Sequence, residues 1–137
     1  MNYQPHFPYQ EIRSEQKTAI EFALDAFNNQ DKRFVIVEAG TGVGKSAIGL
    51  TVAKTIADQT YFITTQKILQ QQYVDDFSKQ GMLSLKSSSN FRCQYYKGKD
   101  CSSALRELKV SKDPKFRASC GGGCVYNRTK RKFIDNP

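Results

Sequence analysis

The sequence predicts an α/β fold with parallel strands, followed by a second, irregular region that carries every cysteine. Three observations support this. The apolar run Phe34-Val35-Ile36-Val37 leads directly into a glycine-rich loop, Ala39 to Ser46, and then into an alanine-rich segment with helical spacing. A second short run, Thr60 to Thr64, follows that segment, and two strands joined by a helical crossover run parallel. Beyond Ser84 the chain turns basic and loses most of its periodicity, which predicts a boundary between residues 1–83 and 84–137.

Met1 to Ile12 carries Pro5 and Pro8 around Phe7, with Tyr9 next, and proline disfavours helix both at itself and before it, so an extended arm is expected. Ser14 offers an N-cap. Ala19, Ile20, Ala23, Leu24 and Phe27 then recur at helical spacing up to Asn28-Asn29, predicting a helix with one buried face. After a strand at 34–38 and the loop, the run from Ala47 to Ile56 predicts a helix ending near Asp58, apolar on most sides as a helix packed on a sheet is. Thr60 to Thr64 reads as the second strand. Gln66 to about Lys79 reads as a second crossover helix with Ile68, Leu69, Tyr73 and Phe77 inward. Ser84 to Asn90 is a polar linker, and after it only Ser103 to Val110 has a helical pattern. Gly121-Gly122-Gly123 predicts a tight turn or a loop close to a ligand.

The loop Ala39-Gly40-Thr41-Gly42-Val43-Gly44-Lys45-Ser46 has the composition of a phosphate-binding P-loop in its required strand-to-helix setting. Gly40, Gly42 and Gly44 give the backbone dihedrals that turn successive N–H groups onto phosphates. Lys45 adds a cation, the Ser46 hydroxyl suits Mg²⁺, and the helix start contributes its partial positive charge. Ala39 stands where the strict pattern has a first glycine. A Gly-rich turn capped by Ser46 is the plain structural alternative.

Charge is unevenly distributed. Residues 1–85 hold 8 Lys/Arg against 9 Asp/Glu, whereas 86–137 hold 13 against 4, so the net charges are −1 and +9. Phe91, Tyr95, Tyr96, Phe116, Tyr126 and Phe133 lie among those cations, and rings can stack on unpaired bases while Lys and Arg meet phosphates. The alternative is a small fold with solvated lysines. No apolar run is long enough to cross a membrane and the N-terminus lacks signal-peptide features, so a non-secreted, cytoplasmic protein is expected. His6 is the single histidine, which rules out multi-histidine metal sites within the chain.

Cys93, Cys101, Cys120 and Cys124 are separated by 7, 18 and 3 residues. In a reducing compartment four thiols in a stretch poor in apolar residues predict a metal centre that supplies folding energy. Paired C-x-x-C knuckles of the zinc type are absent, and a cluster tolerates looser spacing, so spacing leaves iron–sulfur cluster and zinc both open.

Taken together, FPYQEIRSEQKTAI at 7–20, AGTGVGKS at 39–46, YFITTQKILQQQY at 61–73 and the cysteine block after it resemble the start of iron–sulfur superfamily 2 helicases of the XPD and DinG type. The resemblance implies a partial RecA-like P-loop domain with a four-cysteine insertion. It implies that Arg13 and Gln16 contact the adenine of ATP, with Phe7 or Tyr9 nearby, and that Thr64, Thr65 and Gln66 touch the DNA backbone. It also implies ligation of a 4Fe-4S cluster by Cys93, Cys101, Cys120 and Cys124. The structural alternatives are a solvated Gln16 and a helix cap at 64–66.

The expected protein is the N-terminal, ATP- and Mg²⁺-binding portion of a helicase acting on single-stranded DNA. Lys45 and Ser46 carry the catalytic roles. The Walker B box of that family is absent, since the one acidic pair, Asp75-Asp76, falls on a predicted helix, and so are the later motifs. The chain is therefore expected to be either a fragment or a naturally split or truncated gene product, the latter with a separate chain supplying those motifs as a partner. The other readings are a zinc-held nucleic-acid-binding protein and a docking protein for a helicase subunit.

Overall fold

A computed structural model of the chain describes residues 2–121 and 123–135. The chain divides into two compact units, Met1–Met82 and Leu83–Pro137.

In the first unit a 3-10 turn, Gln4–His6, precedes helices α1 (Ser14–Asn28), α2 (Lys45–Ile56) and α3 (Lys67–Phe77), and a second 3-10 turn follows at Ser78–Gln80. Pro5 occupies the first positions of the opening turn, where its missing N–H costs nothing, so the arm is not extended throughout as its prolines suggested. The core lies between α1 and α2. Ile20, Ala23 and Leu24 from one and Ala47, Ile48 and Val52 from the other are buried together, and Phe7 from the arm completes the cluster. Thr51 is fully buried within α2, and its hydroxyl donates 2.7 Å to the Ala47 carbonyl, so no polar group is left unpaired there. On α3, Phe77 is buried with Tyr73 and Leu69 half-buried, whereas Ile68, expected inward, is exposed.

Residues 34–38 and 60–64 take no strand pairing among the described residues. Their side chains are nevertheless unequally buried. Val35 packs against the core while Phe34 and Ile36 are exposed, and Phe62 lies against Gly49 and Tyr73 while Tyr61 and Ile63 are exposed. The period of two that marks a half-buried strand is present at 61–64, where Phe62 and Thr64 are half-buried, but not at 34–38, where Val37 is exposed as well.

In the second unit a 3-10 turn (Ser88–Asn90) leads into a short hairpin in which Arg92 and Asp100 form an antiparallel bridge. Helices α4 (Cys101–Ser111), α5 (Pro114–Gly121) and α6 (Val125–Ile134) follow. Asp100 caps α4, accepting from the Ser103 N–H and hydroxyl, and these bonds hold its carboxyl below the usual range. Asp113 caps α5 in the same way through the N–H groups of Lys115 and Phe116. The core is aromatic. Phe116 is buried with Tyr95 stacked on it at 5.3 Å and Tyr96 edge-on at 4.8 Å, and Phe91 packs on Tyr126 at 5.2 Å. Most of the rings among the cations are therefore structural, and of these five Tyr95 alone is exposed. Gly121 ends α5 rather than starting a loop, Gly123 takes φ 115°, and Gly122 lies outside the described residues.

Candidate nucleotide-binding loop and thiol pocket

The P-loop sits at the start of α2, with Gly44 at the N-cap and Lys45 and Ser46 as the first helical residues. Gly42 and Gly44 have φ of 83° and 85°, the left-handed region that other residues enter only with strain. Gly40 has no positive φ, so its place in the loop follows from something other than backbone dihedrals. At Gly44 space is limiting as well, since a Cβ there would lie 2.5 Å from Gln16 Nε2. No acidic residue occupies the first turn of α2, so nothing opposes an anion at this helix start.

Arg13 and Gln16 come together on this loop. Arg13 Nη1 donates to the Gly42 carbonyl at 3.0 Å, and Gln16 Nε2 donates to the Val43 carbonyl at 2.9 Å. Gln16 Oε1 accepts from the Arg13 backbone N–H at 3.1 Å, so that Arg13, not Ser14, is the N-cap of α1. Gln16 is only 4% exposed, which removes the solvated alternative. One amide hydrogen and spare lone-pair capacity remain on it, the pattern an adenine edge can use. Of the two arm rings, Phe7 is committed to the core, and Tyr9 is exposed with its edge toward Phe7 at 5.9 Å.

Lys45 folds back over the loop, its ammonium donating to the carbonyls of Ala39 at 2.9 Å and Gly40 at 2.8 Å. The charge is thereby held above the loop and exposed. Ser46 is half-buried one residue further into the helix, and Thr41 is exposed. Thr64, Thr65 and Gln66 stand at the entrance to α3. Gln66 is its N-cap without a side-chain capping bond, and Thr64 Oγ1 accepts from the Gln66 N–H at 3.4 Å.

In the second unit, Cys93, Cys101, Cys120 and Cys124 line one pocket together with Tyr95 and Phe116. The hairpin accounts for the first pair: Cys93 N donates to Lys99 O at 2.9 Å and Cys101 N to Phe91 O at 2.7 Å, which makes the two cysteines diagonal neighbours on one face. Cys101 then starts α4, Cys120 lies near the end of α5, and Cys124 is the N-cap of α6. Burial pushes the Cys101 thiol up to about 11, and the neighbouring thiols Cys124, Cys120 and Cys93 push it the same way. Cys120 is raised for like reasons. A thiol at about 11 is protonated at neutral pH, so negative charge on Cys101 needs a cation beside it. Among the described residues no group of three or more His, Cys, Asp or Glu is gathered closely enough to hold a single metal ion.

Two donors that sequence reasoning missed point at the sulfurs. The Tyr96 N–H lies 3.3 Å from Cys93 Sγ, and Asn127 Nδ2 lies 3.8 Å from Cys120 Sγ while donating to the Cys120 carbonyl at 2.6 Å. The only sequence signal for Asn127 is its place three residues after Cys124, on the first turn of α6.

A family model described as ResIII, Type III restriction enzyme, res subunit, matches residues 9–120. No curated protein and no solved structure matches the chain.

Proposed function

The chain belongs to the type III restriction enzyme res-subunit family, the N-terminal region of superfamily 2 helicases, and from that premise we propose that it is the ATP-binding portion of a DNA helicase acting on single strands and carrying a 4Fe-4S centre of the XPD and DinG kind. The family is one of ATP-dependent nucleic-acid enzymes that use ATP and Mg²⁺. The observation that carries the nucleotide part is the P-loop at the start of α2, tied through Gly42 and Val43 to Arg13 and Gln16.

In this reading the N–H groups of Ala39 to Ser46 receive the phosphates and Lys45 exchanges its two loop carbonyls for phosphate oxygens. Ser46 holds Mg²⁺, which neutralises charge on the phosphates. Arg13, Gln16 and Tyr9 form the adenine side. Thr64, Thr65 and Gln66 contact the DNA backbone at the start of α3. No Walker B carboxylate pair follows an apolar strand in these residues, and the group that orients the attacking water is proposed to come from outside them.

The iron–sulfur part is supported by four soft donors around one pocket and by N–H groups aimed at two of them. When bound, the centre would hold the hairpin, α4, α5 and α6 as one unit.

Titration of a fluorescent ATP analogue with Mg²⁺ tests the nucleotide part. The chain should bind and release phosphate near background. Lys45→Ala should weaken binding by roughly 10- to 100-fold, as loss of a charged hydrogen bond implies, with unchanged melting. Equal binding by wild type and Lys45→Ala would sink the reading.

A further inference from the structure

The second unit has a groove between α4 and α5 whose chemistry neither the P-loop nor the thiol pocket uses. Leu105 and Leu108, both half-buried, form its floor, and Arg106, Lys109, Lys112 and Arg117 line it, all exposed. None of these four cations makes a side-chain hydrogen bond or ion pair among the described residues. The nearby acids are engaged elsewhere. Glu107 pairs with Lys99, and Asp113 is occupied by the N–H groups that start α5 and by the Tyr95 hydroxyl.

Two local costs maintain this arrangement. Arg106 and Lys109 are like-charged neighbours three apart on α4, which disfavours the helix slightly. Lys112 also closes α4 at φ 52°, the left-handed position that glycine ordinarily fills. A polyanion in the groove converts the first cost into attraction, and a glycine at the end of α4 would relieve the second but remove a cation. Arg106 to Lys112 spans about 9 Å at about 1.5 Å per residue, longer than one phosphate. Among the described residues no aromatic side chain lines the groove, so bases have nothing to stack on there.

We propose that the α4–α5 groove binds the backbone of a nucleic-acid strand through successive phosphates, independently of sequence. It rests on the nucleic-acid part of the reading above and assigns that part to a surface. Binding of the full chain to fluorescein-labelled oligothymidylate, followed by anisotropy across a salt series, tests it. Arg106→Ala/Arg117→Ala should weaken binding about 25-fold at about 0.1 M salt and reduce the salt slope by about 1.4, the counterion-release values for two phosphates on a single strand. Lys112→Gly should weaken it about fivefold, the value for one contact, with a melting temperature equal to or above wild type, which loss of structure would not produce. Lys32→Ala/Arg33→Ala, the same charge loss in the first unit, should change little, and inorganic phosphate at matched ionic strength should not compete. Groove variants that bind like wild type, or like Lys32→Ala/Arg33→Ala, would overturn the groove assignment alone. Absence of oligothymidylate binding by wild type would overturn the nucleic-acid reading with it.

Discussion

Gln16 Nε2 lies 2.9 Å from the carbonyl oxygen of Val43, joining the first turn of α1 to the middle of the P-loop. Because the same amide accepts the Arg13 N–H, one buried side chain fixes both the start of a helix and the shape of the loop. Gln16→Ala should therefore cost about 1–3 kcal/mol, the range for leaving buried partners unsatisfied, and should also weaken nucleotide binding. Gln16→Glu should do no better, since a carboxylate cannot donate to Val43. Urea denaturation together with nucleotide titration checks both. A stable Gln16→Ala variant with wild-type nucleotide affinity would show that the contact is incidental.

Gly44→Ala is expected to be more damaging than Gly40→Ala. The first forces a side chain into left-handed backbone and against Gln16, whereas a Cβ at Gly40 meets nothing within 4 Å. The backbone term alone is about 1–2 kcal/mol. Thermal melting of the two variants should separate by several degrees in that order, as a difference of that size implies for a small unit.

Anaerobically purified protein should contain iron and acid-labile sulfide in near-equal amounts, about four of each per chain. Cys101→Ser, at the most buried of the four thiols, should abolish both and raise hydrogen exchange across 91–134. One zinc per chain without sulfide would replace the cluster with a single-ion centre. Neither metal would refute ligation altogether.

Asp25 sits near the C-terminal end of α1, where a carboxylate meets the unfavourable end of the helix dipole. Bonds from the side-chain amides of Asn29 at 2.6 Å and Gln30 at 2.7 Å offset this and hold its carboxyl below the usual range. A lowered folded-state pKa means the contribution is present above the ordinary carboxylate range and is lost as pH falls through the folded value. Melting temperatures from pH 6 to pH 2 should therefore fall less for Asp25→Asn than for wild type. Parallel curves would remove Asp25 from the acid response.

The helices that could be read from the chain were those whose burial follows a period. Ile20, Ala23 and Leu24 marked α1, and Ala47, Ile48 and Val52 marked α2, because each set faces the same core. Helix α5 gave no such signal, and on α6 the half-buried face of Tyr126, Thr129 and Phe133 is masked by the cations between them. Phe116 is the one buried side chain described on α5, and α6 carries Arg128, Lys130, Arg131 and Lys132 on ten residues with none buried. At the P-loop the residue types were legible, but the bonds from Arg13 and Gln16 were not, since they join positions 27 and 29 apart. The expected strands show half-burial at Val35 and Phe62, yet pairing depends on neighbours that local sequence does not name.

The bridge between Arg92 and Asp100 sets a rule for how the cysteine spacing can vary. Cys93 and Cys101 meet because of register, not proximity in the chain, so the turn at 94–99 can lengthen by two residues and leave both sulfurs on the same side of the hairpin. Lengthening by one, with the register shifted to match, sends one of them to the opposite side. The length of this interval is therefore free to vary as long as the pairing of Arg92 with Asp100 is kept, and a search for a fixed short cysteine motif will pass over sites built this way.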